Sequence, residues 1–177
     1  MGIDFTTPTI IDNYLPDAVF EDLKNTIVYN ENFDLNFQYK VSLYDDDIED
    51  KTLWNYYFTH SIFKNCQPTS KYFPLIYNTF ITRLSRDNTL KTLQRIKVNC
   101  YPHTDVVKEH QMHCDKTWFI KAALFTLNTC DGYTKMENGD KIESIENRLI
   151  LFDASKLHCS TTTSNEKSRY NINFNFL

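Results

Sequence analysis

Glycine is nearly absent: 177 residues contain three, Gly2, Gly132 and Gly139. A dinucleotide fingerprint and a phosphate-cradling P-loop both need closely spaced glycines, so both nucleotide folds are excluded by counting. The five cysteines (Cys66, Cys100, Cys114, Cys130, Cys159) include no C-x-x-C pair, and five cannot all pair within one chain. Reduced thiols are the economical reading. No apolar stretch of secretory type stands near Met1, and no run is long enough to span a bilayer, so an intracellular, cytoplasmic protein with no membrane partner is expected. Positive charge is also in deficit. With 19 basic against 23 acidic residues the formal net charge is −4, which argues against a wholesale electrostatic grip on nucleic acid or anionic lipid. Low-complexity segments, repeats and long linkers are missing too. The length then fits one domain, 1–177, with enough chain to bury a core.

What is present divides into two halves. Thr9 to Leu15 reads as a short strand running into a turn at Pro16-Asp17, and Asp17 offers an N-cap for a helix over Ala18 to Ile27. Val19, Phe20, Leu23 and Ile27 form its apolar stripe. Asp45-Asp46-Asp47 reads as a solvated acidic loop rather than a metal cluster. Thr52 to Phe63 and Lys71 to Leu84 are further helix candidates, their aromatic residues packing as core. From about Gln94 the period changes to two. Arg95, Lys97, Asn99 and Tyr101 alternate with Ile96, Val98 and Cys100. Thr117 to Leu127 is mainly apolar, Glu137 to Asp140 is a turn, and Lys141 to Ile145 and Arg148 to Phe152 are short strands. The last strand sets Tyr170, Ile172, Phe174 and Phe176 on one face and Arg169, Asn171, Asn173 and Asn175 on the other. By itself this polar face suits solvent somewhat better than a polar cavity. Helices followed by antiparallel strands predict an α+β, mainly β protein, with 1–93 as helical support and 94–177 as a sandwich or barrel.

The metal-capable residues lie in the second half. His113 and Asp115 are two apart and leave one face of an extended chain together. His158 follows an apolar strand and could complete two imidazoles and a carboxylate, a facial set that leaves three positions of an octahedral iron open. Eleven residues on, Arg169 could hold the distal end of a dicarboxylate through two parallel hydrogen bonds. H-x-D alone is weak evidence, because His103-Thr104-Asp105 repeats it and His60 and His110 are also available. The residues alone leave the choice open.

Arg95 to Leu177 resembles the iron(II)- and 2-oxoglutarate-dependent dioxygenases, most closely the prolyl-4-hydroxylase-like members encoded by marine tailed phages. RIKVNCYP (Arg95 to Pro102), EHQMHCD (Glu109 to Asp115), the stretch Leu127 to Asp153, and His158 with Arg169 and YNINFNF carry the likeness. The resemblance implies a double-stranded β-helix of jelly-roll, cupin-like kind. It implies His113, Asp115 and His158 as metal ligands, Arg169 as the clamp on the C5 carboxylate of 2-oxoglutarate, and Tyr101 and Asn99 beside that cosubstrate. It places His103-Thr104-Asp105 in a variable loop, turns Cys114 away from the metal, and makes Arg169, Asn171 and Asn173 line the barrel. Asp131-Gly132 stands where prolyl hydroxylases often carry Gly-Gly. The implied reaction consumes Fe(II)-bound 2-oxoglutarate and dioxygen, with ascorbate as a stimulant, and hydroxylates a C–H bond with release of succinate and carbon dioxide.

The implied substrate is a peptidyl proline. A nucleobase in single-stranded nucleic acid is the alternative partner, for which Lys97, Lys121, Lys135 and Lys141 with neighbouring aromatics could form a groove. A non-catalytic metal-binding β-barrel is the third reading. Asp131 to Thr134 and Tyr101 to Gln111 are expected at the rim. If the gene is a phage's, the location is the host cytoplasm.

Overall fold

The computed structural model describes residues 5, 7–42, 52–86 and 90–177; the acidic run Asp45–Asp47 lies outside them. A short strand β1 (Thr9–Ile11) and helix α1 (Asp17–Ile27) lead into strands β2 (Asn36–Gln38), β3 (Tyr57–Lys64) and β4 (Gln67–Pro68). A helical stretch follows: α2 (Phe73–Ile76), a wide π-helical turn (Tyr77–Ile81) and α3 (Thr82–Arg86). Seven strands complete the chain: β5 (Leu93–Pro102), β6 (Lys121–Thr126), β7 (Cys130–Met136), β8 (Lys141–Ser144), β9 (Arg148–Asp153), β10 (His158–Ser160) and β11 (Ser168–Phe176).

Two antiparallel sheets face each other. The large one runs β1-β9-β6-β11-β5-β3-β2, with β4 on β3, and the small one runs β10-β7-β8. Isolated bridges Glu109↔Thr161 and His113↔His158 lay the segment before Asp115 along β10. Strand alternation divides the large sheet's residues between two cores. Ile96, Val98, Ala123, Phe125, Leu149, Leu151, Ile172 and Phe174 face outward and pack with Phe20, Leu23, Ile27, Ile76, Phe80 and Leu84 of the helices. Between the sheets, Ala122, Leu124, Ile150 and Phe152 meet Met136 and Ile142. The inner face is therefore apolar along β6 and β9. Along β5 and β11 it is polar.

Four expectations change. Thr52–Phe63 is not a helix: Tyr57–Lys64 is a strand paired with β5, and a register shift between Ser61 and Phe63 breaks its alternation. A bulge of that kind hides period two from sequence reading. Residues 1–93 thus supply sheet as well as helix. Asp17 lies inside α1 rather than capping it; Pro16 is the N-cap, with no side-chain cap bond, and its carbonyl accepts the Val19 and Phe20 N–H groups. Val19, expected in the stripe, is exposed. The polar face of β11 does not meet solvent, because Arg169, Asn171, Asn173 and Asn175 are all buried.

Candidate functional site

His113 and His158 exchange backbone hydrogen bonds, each N–H donating to the other's carbonyl at 2.9 Å. Their rings stand 4.7 Å apart between centroids. Each ring turns Nδ1 to a carbonyl two residues earlier, His113 to Gln111 at 3.2 Å and His158 to Lys156 at 2.9 Å. A carbonyl only accepts, so each Nδ1 carries the proton and each Nε2 keeps its lone pair for a metal. The Asp115 N–H donates to the Ala154 carbonyl at 2.8 Å, which sets the third side chain beside the two rings. One ligand atom from each of the three lies within 4.8 Å of the others. Among the described residues no other trio of His, Cys, Asp or Glu converges in this way.

The electrostatics suit a cation. Burial, helped by His158, pushes His113 down to about 4, so the ring is neutral at neutral pH. For Asp115, burial alone would raise the carboxyl, but Arg95, His158, the Asn175 amide and Lys97 outweigh it and hold it well below the usual carboxylate range. Arg95 Nη2 donates to Asp115 Oδ1 at 3.0 Å and Asn175 Nδ2 donates to Oδ2 at 2.7 Å.

A cavity of about 470 Å³, open mouth included, adjoins these three residues. Lys97, Asn99, Tyr101, Thr134, Asn171 and Asn173 line it, with Leu124 and Phe152 as apolar floor. Beyond Thr134 stands Arg169, only 1% exposed. Its Nη2 donates to Thr134 Oγ1 at 2.9 Å and its Nη1 to the Thr161 carbonyl at 3.4 Å, while the buried Nε has no partner. Its guanidinium carbon lies 5.7 Å from the Tyr101 ring centroid. No carboxylate of the described residues reaches it; burial dominates its surroundings, followed by Tyr101, Cys130 and Cys159. A buried cation without a counter-charge is costly. It fits a site built to receive an anion.

The sequence-derived residues are brought together unequally. Tyr101 is buried, stacks on Tyr57 at 5.6 Å and hydrogen-bonds Ser160 through its hydroxyl. Asn99 donates to Asn171 at 2.8 Å and leaves its own Oδ1 buried and unpartnered. His103 and Asp105 are exposed, and His103 is bonded to Glu166 of a different loop. Cys114 is half-buried and outside the converging group. The four lysines do not share one surface: Lys97 faces the cavity, Lys121 lies over the Phe5 ring, and Lys135 and Lys141 sit on Glu109. Sequence reasoning did not single out Arg95, Asn175 or Ser160; for the first two the signal was the polar alternation of β5 and β11, and for Ser160 there was none. Thr134, expected in a rim loop, is instead a buried residue of β7.

No family profile matches the chain, and no curated protein matches it in sequence. Solved structures do match along its whole length. A Pseudomonas putida prolyl-4-hydroxylase superposes with a TM-score of 0.66 at 12% identity, covering 97% of this chain and 94% of that one. The viral collagen prolyl hydroxylase of Paramecium Bursaria Chlorella virus-1, in complex with 2-oxoglutarate, gives 0.60 at 12% identity over 96% of both chains. HygX from Streptomyces hygroscopicus, with nickel and 2-oxoglutarate bound, gives 0.64 at 9% identity over 97% of this chain and 82% of that one.

The fold is the double-stranded β-helix. In its terms β5, β11, β6 and β9 form one wall of the squashed barrel, and the small sheet with the Glu109–His113 segment forms the other. The converging trio joins the segment before β6 to β10, and Arg169, on β11, is buried between the sheets.

Proposed function

We propose that this chain is an iron(II)- and 2-oxoglutarate-dependent dioxygenase that hydroxylates a C–H bond with release of succinate and carbon dioxide. His113, Asp115 and His158 hold the iron, and Arg169 holds the C5 carboxylate of the cosubstrate. The observation that carries the reading is the buried Arg169 guanidinium, which no carboxylate of the described residues reaches and which bonds Thr134, a lining residue of the cavity on which two imidazoles and a carboxylate converge. A dicarboxylate between the trio and the guanidinium satisfies both. When bound, the iron supplies the oxidative chemistry, coupling dioxygen reduction to decarboxylation of 2-oxoglutarate.

The chain's own residues do the rest. Arg169 and Thr134 fix the distal carboxylate by charge-assisted hydrogen bonds. Tyr101 closes the same end, and Leu124 and Phe152 keep water from the floor of the cavity. No side chain has to act as general base. Prolyl hydroxylases are among the structural neighbours, and one, from Trichoplax adhaerens, is in complex with a peptide fragment. These support a peptidyl proline as the substrate. Kinship with phage-encoded enzymes rests on the sequence motifs, and one neighbour is viral. A cytoplasmic location belongs to the same proposal; among the described residues no helix is long and apolar enough to cross a membrane.

Succinate release from 2-oxoglutarate with iron(II) and ascorbate tests the class. Arg169→Ala should raise the 2-oxoglutarate requirement by about 2–5 kcal/mol while metal still binds, because the anion loses its charged partner. Unchanged cosubstrate affinity would remove Arg169 from the clamp. Mass spectrometry of proline-rich peptides and single-stranded oligonucleotides tests the substrate, and one oxygen gained on a base with none on any peptide would overturn the prolyl assignment.

A further inference from the structure

Asp115 is held by two residues to which the sequence motifs assign no role. Arg95 and Asn175 are direct cross-strand partners, on β5 and β11, in the last paired rung before the register shift at Asn175/Phe176. A bulge there re-aims the strand locally, as bulges beside functional sites do. Arg95 takes Oδ1 of Asp115 and Asn175 takes Oδ2, at 3.0 and 2.7 Å. Arg95 Nε and Asn175 Oδ1 are buried without partners, so both side chains reach Asp115 at the expense of some of their own hydrogen bonding. A carboxylate oxygen has two lone-pair positions. With one on each oxygen occupied, the plane of the Asp115 carboxylate is fixed and one lone pair per oxygen remains.

We propose that Arg95 and Asn175 are positioning residues for the metal: a two-sided clamp that fixes the Asp115 carboxylate before the ion arrives. The inference rests on the metal reading above and extends it to two side chains that touch no metal themselves. Partners of this kind orient ligating groups, and their loss weakens metal binding by about 10- to 100-fold. Simple burial of polar residues would not require both oxygens of one ligand to be engaged from two adjacent strands.

The test measures metal binding in the absence of 2-oxoglutarate and substrate. Mn(II) is titrated into the metal-free protein and followed by electron paramagnetic resonance; the visible spectrum of the Co(II) form reports ligand geometry. Asn175→Ala removes one arm without changing charge, and Arg95→Lys keeps the charge but alters the donor geometry. Each should weaken Mn(II) binding by about 10- to 100-fold and change the Co(II) spectrum, with the far-ultraviolet circular dichroism of the metal-free protein retained. Arg95→Gln, which retains a donor but not the charge, should fall between wild type and Asn175→Ala. Unchanged Mn(II) affinity in both Asn175→Ala and Arg95→Lys, while Asp115→Ala loses the metal, would overturn the clamp and leave the ligand set standing. Equal Mn(II) affinity in wild type and Asp115→Ala would overturn the ligand set itself. If Asn175→Ala does not fold, the two Arg95 variants decide the matter alone.

Discussion

Arg169 keeps its seat beside Thr134 only because position 132 has no side chain. A Cβ there would lie 2.7 Å from Arg169 Cδ, 2.7 Å from the Thr162 carbonyl and 3.1 Å from Thr161 Oγ1. Gly132→Ala should therefore move the guanidinium off its seat and weaken 2-oxoglutarate binding at least tenfold, about 1.4 kcal/mol, with metal affinity retained; calorimetry on the metal-loaded protein checks both. Two buried histidines set a pH window. Burial pushes His110 down to about 4, and His113 likewise, from an ordinary value near 6.5. The unfolded chain thus binds protons that the folded chain refuses between those limits, and stability rises with pH across them. It is full above pH 6.5 and lost as pH falls toward 4, with Asp115 adding its own loss lower still. Urea midpoints of the metal-free protein between pH 4 and 7 should show this slope, and His110→Phe should flatten it; a profile flat in wild type would contradict the assignment. The trio and Arg169 were legible through the family resemblance; H-x-D, a distal His and an Arg on an alternating strand left His103-Thr104-Asp105 open on their own. Gly132 was visible only as a departure from Gly-Gly, since what makes it necessary is Arg169, 37 positions away.

At the level of elements, β3 is where sequence reading failed and where the reason is plainest. The aromatics that suggest a helix, Trp54, Tyr57 and Phe58, do so because Trp54 precedes the strand while Tyr57 and Phe58 are neighbours on its opposite faces, and only pairing with β5 reveals the strand. His60 anchors this strand to its surroundings. Its Nδ1 lies 2.7 Å from the Asp34 carbonyl, its Nε2 lies 2.7 Å from Ser70 Oγ, and its ring packs 4.6 Å from Phe33. The trio Asp34, His60 and Ser70 has the connectivity of a hydrolase relay. However, the Asp34 carboxylate is farther from the ring than its carbonyl, at 3.3 Å, and Ser70 Oγ also accepts the Tyr72 N–H at 3.1 Å. The arrangement is a structural pin, joining the chain before β2 and the start of the second helical stretch to β3. His60→Ala should cost about 2–4 kcal/mol in chemical denaturation, from two buried hydrogen bonds and a lost ring, and should leave Mn(II) affinity unaltered. A matching loss of metal binding would mean that the pin reaches the site. The strands from β5 onward were legible because they keep period two; for the polar row of β11, alternation alone leaned to solvent because nothing local says which side another sheet covers, and the resemblance placed Arg169, Asn171 and Asn173 inside, where they are buried.

For the molecule as a whole, the large sheet reverses the usual assignment of faces: along β5 and β11 its hydrocarbon points out to the helices and its amides point in. Among the described residues, Phe125, Ile172, Phe174 and Phe176 are shielded by α1, the 73–86 helical stretch and the segments beside them. Residues 94–177 expressed alone should consequently be insoluble, and co-expressed 1–93 should rescue them; a soluble, metal-binding 94–177 fragment would show that the outer layer is dispensable. The pairing of β11 with β5 and β6 has one more consequence. Along this strand, odd-numbered positions from Arg169 to Asn175 belong to the inner face between the sheets and even-numbered positions from Tyr170 to Phe176 to the helical seam. The two faces are thus told apart by parity, and a one-residue deletion inside the strand acts as a frameshift in space. On one side of the cut it would drive polar side chains into the aromatic seam and swing apolar ones inward, whereas the same deletion between Ser164 and Lys167 leaves the parity untouched.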